Sequence, residues 1–429
     1  MHAPNATCDG MELSNVTGDF VSTPVSESSL EGFGVAFGSL HGTLSLFVCA
    51  FGVSTNIANI IVLTRPSMST SATNHLLIWL ALADLITMFI YIPSLYHFYI
   101  VRPNPIESTI FSPSKPWVIY QMAGASGMIV FHSAAVWITV ILAIFRFIHV
   151  GFPTIGPRLA TKRRALQSVL FTFICCIILV IPNILINRVD SCIGPGIGSN
   201  RTLFDSYYYY LNFEFAEGVP EQFRLPQMRI ANFWLQATLF KIIPVCLLSI
   251  LTVLLIYQLR LAMRRRQSLQ RSSVKTQVRL LLKDKKSDER SQQGNENRTT
   301  LLLLVILAFF LLVEMPQGIM VLCIHLIPSF NKNVYHPLGD FIDFVTLVNE
   351  SINFVIYATM SRQFRETFCD VFYLSKLKKF VVTKCSSSRR KRDGNGAANE
   401  QSNDPVRLKQ LTNIMPENAE TGTERTCQL

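Results

Sequence analysis

Five carboxylates stand in or beside apolar runs, where an ion is costly to bury. They are Asp84 in "LALADL", Glu314 in "LLLLVILAFFLLVEMPQGIM" (residues 301–320), and Asp340, Asp343 and Glu350 in "GDFIDFVTLVNE". Asp343 and Glu350 are seven residues apart, which on a helix places them near one stripe. Glu314 stands two residues before Pro316. Catalytic chemistry is a poor fit, because the chain has no Walker-type loop, no zinc-ligand spacing and no C-x-x-C. An ionisable group inside hydrocarbon is by default part of a binding site, an ion path or a paired polar interior, since nothing else offsets its desolvation.

The elements that must carry these groups are visible in the composition. The 429 residues are 49% hydrophobic and only 16% charged, with a mean hydropathy of +0.33. The apolar residues gather into seven runs, approximately 37–64, 75–99, 118–147, 165–187, 232–260, 299–326 and 339–359. Each reaches the roughly 20 residues that a helix needs to cross about 30 Å of hydrocarbon. Alternation of the barrel type is absent, so helices with internally bonded backbones are expected. The fold class read from this pattern is all-α integral membrane: a seven-transmembrane helix bundle with an amphipathic eighth helix.

The net charge of +11 could suggest nucleic acid, but its basic residues sit in short loops and in the tail. "RLATKRRA" follows the third run, "RLAMRRRQSLQRSSVK" the fifth and "LKKFVVTKC" the seventh. The positive-inside rule then places the N-terminus outside and the C-terminus inside, which an odd number of spans satisfies. A plasma-membrane, multi-pass protein is expected, with anionic lipid as a partner of the basic segments and no nucleic-acid role. Four regions follow: an outer glycosylated tail (1–36), the seven-span domain (37–360), an amphipathic juxtamembrane helix (361–373) and a disordered basic tail (374–429). No cleavable signal peptide is evident. The third inner loop (about 261–298) reads as disordered except where its basic start extends the fifth helix.

Sequons support this orientation. Asn5, Asn15 and Asn200 fall on the outer side and are candidate glycosylation sites, whereas the Asn297 sequon falls inside. Of ten cysteines, Cys49, Cys175, Cys176, Cys246 and Cys323 lie within the runs and read as small buried hydrophobes.

Several short motifs, in order along residues 40–375, carry a family resemblance. They are "GVSTNIANIIVL", "LALADL", "AVWITVILAIFRFIHVGFP", "FKIIPVCLLS", "EMPQG", "SINFVIY" and "SRQFRETFCDVF". The chain resembles the rhodopsin-like G-protein-coupled receptors, and within them the invertebrate myosuppressin and FMRFamide-related neuropeptide receptors. The resemblance implies a polar network of Asp84, Asn56, Asn349 and Asn353 that can hold a sodium ion. Glu350 could supply an oxygen in place of a serine ligand, since Ala135 stands where many relatives have that serine. A hydrogen-bonded Asp84 that only fixes helix packing is the alternative.

The resemblance also implies that Arg146 meets a heterotrimeric G-protein when the helices open. A lone terminal arginine snorkelling to phosphates is the bland alternative. Phe145 takes the place of the usual neighbouring carboxylate. Pro244 matches the kink of the fifth helix, with Thr252 where tyrosine is common. Phe310 and Pro316 match the packing aromatic and the kink of the sixth helix, and Glu314 occupies a position where many relatives carry tryptophan. Asn353 and Tyr357 match the last motif, with Phe354 replacing its proline.

For Glu314 three roles stay open: contact with a cationic group of a peptide, an internal switch, or a protonated residue bonded to a neighbouring helix. Gln317 completes its motif. Asp343, about two turns outward from Glu350, is placed to receive a cation, and Asp340 stands beside it. Cys369 in the amphipathic stretch is a candidate for palmitoylation, or an ordinary buried cysteine. The usual outer disulfide lacks its third-helix cysteine, with Gln121 in that place. Cys192 and Cys8 are the candidate pair, a free thiol or another partner being the alternative.

The function implied is a cell-surface receptor for a short amidated neuropeptide, signalling through a G-protein, inhibitory by family leaning, and regulated by arrestin and receptor kinase. It is not an enzyme. The alternatives are a receptor for another peptide, a constitutively active orphan receptor, or a transporter or channel. The last lacks the duplicated halves or repeated pore element it would need.

Overall fold

The computed structural model describes residues 29–101, 111–112, 114–152, 154–197, 203–212, 226–275, 304–305, 307–324, 326–327 and 329–372. Among these residues seven helices are long and apolar enough to cross a membrane: Leu30–Leu63, Ala72–Val101, Lys115–Gly151, Lys162–Ile186, Ile230–Leu261, Leu307–Ile324 and Asn331–Thr359. They are called the first to seventh spans below. A short helix, Arg362–Val371, follows the seventh. The protein is an all-α, seven-span membrane bundle with an additional helix near its C-terminus.

The helix carrying the first span begins at Ser29, inside the stretch read as polar tail, because Phe33 and Phe37 pack onto Phe341 of the seventh span (ring centroids 5.7 and 5.4 Å apart). Tertiary packing overrides a serine-rich local composition there. The fifth helix runs on through its basic end to Lys275. The remainder of the third inner loop, the C-terminal tail, Asn5, Asn15, Asn200 and Cys8 lie outside the described residues.

Large apolar side chains point outward as well as inward. On the fourth span Phe171 is 69% exposed, and Ile174, Ile177, Ile178 and Ile181 are exposed beside it. In water such a face would demand a partner, whereas in lipid it needs none. Cys246 is also exposed and Cys175 and Cys323 are only half-buried, so three of the five cysteines read as buried are not. Inward, one apolar cluster joins the inner ends of the first, second, third, fourth and seventh spans, including Leu76, Ile138, Leu142, Phe145 and Tyr357. A second joins the third, fifth and sixth through Val136, Val140, Leu248, Leu307 and Phe310. Between the first, second and seventh spans the backbones approach closely. A Cβ added at Gly52 would collide with Ser351 and Met88.

Two features were not expected from the sequence. The second outer loop forms an antiparallel hairpin of β2 (Arg188–Ile197) and β3 (Leu203–Asn212), with the two-residue β1 (Phe111–Ser112) on its other edge. The aromatic run "YYYY" within β3 favours extended structure, and Cys192 pairs across from a buried Tyr208. The second feature is local helix widening at Leu95–Val101, Ala237–Ile242 and Asn331–Tyr335, each with the i→i+5 pattern. The second of these ends immediately before Ile243 and Pro244. Proline cannot donate to the carbonyl four residues back, so the ladder there is already broken, and a single wide turn is a common response.

Candidate functional site

Lys241 sits in that wide turn of the fifth span, and it answers the question of what offsets Glu314. Its Nζ donates to Glu314 Oε2 (2.8 Å) and to Gln317 Oε1 (2.8 Å), and lies 3.2 Å from His132 Nε2. Two of the ammonium's three donors are thus taken by oxygens of the sixth span. Glu314 is fully buried, with 0% exposure, whereas Lys241 retains 20%. The carboxylate is thus paired inside the bundle by a cation from a neighbouring span.

The pair extends in both directions. His132 of the third span lies 3.2 Å from Glu314 Oε1 through Nε2 and 3.2 Å from Glu350 Oε1 through Nδ1. Either Nε2 accepts from Lys241 and Nδ1–H donates to Glu350, or both nitrogens are protonated, with Nδ1–H donating to Glu350 and the cation lying beside Glu314; the states differ by one proton. Gln317 Nε2 donates to Thr346 Oγ1 at 2.6 Å. The third, fifth, sixth and seventh spans are tied together by these side chains alone.

Below this node lies a small cavity lined by Asp84, His132, Ala135, Asn349, Glu350 and Asn353 among others. Asn353 Nδ2 donates to Asp84 Oδ2 at 3.2 Å, and Asn56 Nδ2 to the Glu350 carbonyl at 3.1 Å. Glu350 Oε2 is buried without a hydrogen-bond partner among the described residues. These hard oxygen donors fit a monovalent cation, with Asp84, Asn349, Asn353 and Glu350 as the residues to hold it.

Above the node, Tyr99 donates to Asp340 (2.9 Å), and Tyr91 lies 3.5 Å from Asp343. His41 meets the Tyr91 hydroxyl at 3.1 Å and Ser45 at 3.3 Å. Asp343 is exposed, and charged groups within spans characteristically face the bundle interior or water rather than lipid. Asp343, Thr346 and Glu350 share one stripe of the seventh span, so the outer carboxylates stand directly above the buried node.

At the inner end, Phe145 packs into the apolar cluster and Arg146 Nε has no hydrogen-bond partner among the described residues. Phe310 packs with the third and fifth spans. Tyr357 is buried against Phe364, at 5.6 Å between ring centroids. Phe354 stacks edgewise on Phe364 and Phe368, filling the place of a kinking proline with ring contacts. The juxtamembrane helix starts at Ser361, whose hydroxyl caps it by accepting from the Phe364 backbone N–H. Arg365 donates to the carbonyls of Ala358 and Thr359 at the end of the seventh span.

Cys192 is disulfide-bonded, which removes the free-thiol alternative; whether Cys8 is its partner lies outside the described residues. Gln121, in place of the third-helix cysteine, accepts from Ser94 Oγ at 2.7 Å and so ties the second and third spans by a hydrogen bond. Cys369 is buried and also disulfide-bonded, so acylation of its sulfur would first require reduction.

Sequence reasoning missed Lys241 and His132. Each carried the same signal as Glu314, an ionisable side chain inside an apolar run. Their separations from Glu314 along the chain hid that the three meet.

The fold is a seven-span membrane bundle with a buried ionisable node shared by its third, fifth, sixth and seventh spans. Residues 43–375 match the family described as serpentine type 7TM GPCR chemoreceptor Srw, and the chain belongs to that family. It is similar to the G-protein coupled receptor dmsr-1 of Caenorhabditis elegans, with 29% identity over 79% of this chain and 69% of that protein. The sex peptide receptor of Drosophila melanogaster is 24% identical over 82% and 75% of the two chains. The sex peptide receptor-related protein 2 of C. elegans is 25% identical over 77% and 70%. The protein is therefore a multi-pass membrane receptor related to peptide receptors, consistent with a plasma-membrane location.

Proposed function

We propose that the protein is a cell-surface receptor for a short amidated peptide of the RFamide or myosuppressin type. Its outer cavity takes the peptide's cationic side chain on Asp343 and Asp340. The single observation that carries this reading is the pair of carboxylates at the outer end of the seventh span, each approached by a tyrosine hydroxyl of the second. A guanidinium is the natural complement of such a site, because charge-assisted hydrogen bonds are stronger than neutral ones and geometrically specific. The likeness to a sex peptide receptor supports a peptide rather than a small odorant as ligand.

Occupation of the cavity favours the conformer in which the inner end of the sixth span moves away and Arg146 meets a heterotrimeric G-protein, by family leaning an inhibitory one. Arrestin and a receptor kinase then act on the inner face, and the basic residues Lys162 to Arg164 and Arg264 to Arg266 contact anionic lipid or the G-protein. A sodium ion at Asp84, Asn349, Asn353 and Glu350 stabilises the resting conformer. A second reading, signalling without ligand, is favoured by Arg146 Nε, which has no hydrogen-bond partner among the described residues.

The test is G-protein activation in cells displaying the receptor, challenged with a panel of amidated peptides. A sub-micromolar response is expected. Asp343→Asn should weaken arginine-containing peptides about tenfold or more, the scale of a charge-assisted hydrogen bond, and leave arginine-free analogues unchanged. Equal loss for both peptide sets would remove the charge pairing, and silence across the panel with receptor at the surface would remove the peptide class.

A further inference from the structure

Two places could restrain the sixth span in the resting receptor: the inner end, where Arg146 lies, and the mid-membrane node around Lys241. At the inner end the described residues offer no such restraint. Phe145 occupies the position next to Arg146 and is packed in the apolar cluster. No ion pair among the described residues includes Arg146, and its Nε is buried without a partner.

At the node the means are present in excess. Lys241 donates twice to the sixth span, to Glu314 and to Gln317, across 2.8 Å in each case. Glu314 has no water to turn to if the lysine leaves, since it is fully buried. Its other neighbour, His132 Nε2, is 3.2 Å away and is also approached by Lys241. The contact therefore has the asymmetry of a buried ion pair, in which losing one partner strands the other charge. It sits on the fifth span in the widened turn preceding Pro244, where the helix ladder is already interrupted and can change pitch at low cost.

We propose that the Lys241–Glu314 ion pair is the lock that holds the sixth span in its resting position. Release requires Lys241 to give up its two acceptors on the sixth span. Gln317 links the lock to the outer cavity, because its amide also donates to Thr346, three residues inward from Asp343 on the same helix. A cation arriving at Asp343 thus acts on the same stripe that carries Thr346 and Glu350. This inference rests on the receptor reading, but its test does not need the ligand or the G-protein to be known.

Full-length receptor in lipid nanodiscs would carry spin labels on unnatural side chains at Arg158, on the inner loop, and Phe309, exposed on the sixth span. Their distance distribution reports displacement of the inner end. In the unliganded wild type the short-distance population should dominate. Lys241→Met and Glu314→Gln should each raise the long-distance population about tenfold relative to the short one, and the exchanged pair Lys241→Glu with Glu314→Lys should restore the wild-type distribution. Gln317→Leu, which keeps both charges and removes one acceptor, should give a smaller rise in the same direction.

Unchanged distributions in the single variants would overturn the lock, and so would an exchanged pair that behaves like them. If the single variants fail to fold while the exchanged pair folds, the pair is structural and the proposal fails. If none of the charge variants folds, Gln317→Leu decides: a wild-type distribution there rejects the lock. A shift in distance without any G-protein signal would leave the lock standing and count against the coupling proposed above.

Discussion

Arg146 and Glu314 show what a single substitution does to a familiar arrangement. Phe145 stands beside Arg146 where the resembled family carries an acid, and the acid at residue 314 pairs with Lys241 at mid-membrane, where little water screens the attraction and loss of either partner strands a buried charge. The outer carboxylates invite a finer distinction. Tyr99 donates to Asp340 over 2.9 Å, whereas the Tyr91 contact to Asp343 is 3.5 Å long. A short hydrogen bond to a charged group is worth about 1.5–3 kcal/mol, and one at the distance limit far less. Tyr99→Phe should therefore lower potency for an arginine-containing peptide by roughly tenfold or more, by the conversion of about 1.4 kcal/mol per decade. Tyr91→Phe should cost less than threefold. Dose–response curves on the two variants, at matched surface level, check the ordering; the reverse ordering would mean that Asp343 alone receives the cation and that Asp340 is structural.

At the scale of elements, what the sequence disclosed follows from which signals are local. Seven apolar runs and the amphipathic stretch after Tyr357 are each written within a few tens of neighbouring residues, and both are present as helices. The hairpin of β2 and β3 was hidden because its pairing depends on partners across a loop, with Gly, Pro and Ser inside β2 that ordinarily weaken strands. The wide turn at Ala237–Ile242 has no composition of its own, and only Pro244 hinted at it. Of the candidate site, Asp84, Glu314, Gln317, Asp340, Asp343 and Glu350 were legible from type and position, but their partners were not, since helix-to-helix contact leaves no trace in one chain's spacing. Close packing yields a prediction on the same scale. Gly52→Ala must displace Ser351 or Met88, and overpacking of this kind costs about 1–3 kcal/mol. Gly32→Ala, with nothing within 4 Å of the new methyl, should instead stabilise its helix by about 0.5–1 kcal/mol. Melting curves of the purified receptor should move down for the first and level or up for the second. Equal shifts would mean that the first and seventh spans are less tightly apposed than the structure has them.

For the molecule as a whole, function depends on which end of the bundle faces out. Acidic groups and the tyrosines that meet them gather where the seventh span begins, and the basic segments Lys162 to Arg164 and Arg260 to Arg266 gather at the opposite ends of the spans. A charge separation of this kind is read by the insertion machinery through the basic side. It also creates the two interfaces a receptor needs, an outer one attractive to cations and an inner one attractive to anionic lipid and acidic partners. The orientation can be read without any ligand, because N-glycans are added on the luminal, later extracellular, side alone. Asn5, Asn15 and Asn200 should accept glycans, and Asn297 should not. Each is removed singly by Asn→Gln, and the mobility of the expressed chain is compared before and after enzymatic deglycosylation. The Asn297→Gln chain should migrate like wild type both times, whereas loss of an occupied outer site should remove one glycan step. A glycan on Asn297 would place the third inner loop outside, turn Asp340 and Asp343 toward the cytoplasm, and leave an extracellular peptide with no carboxylate to meet.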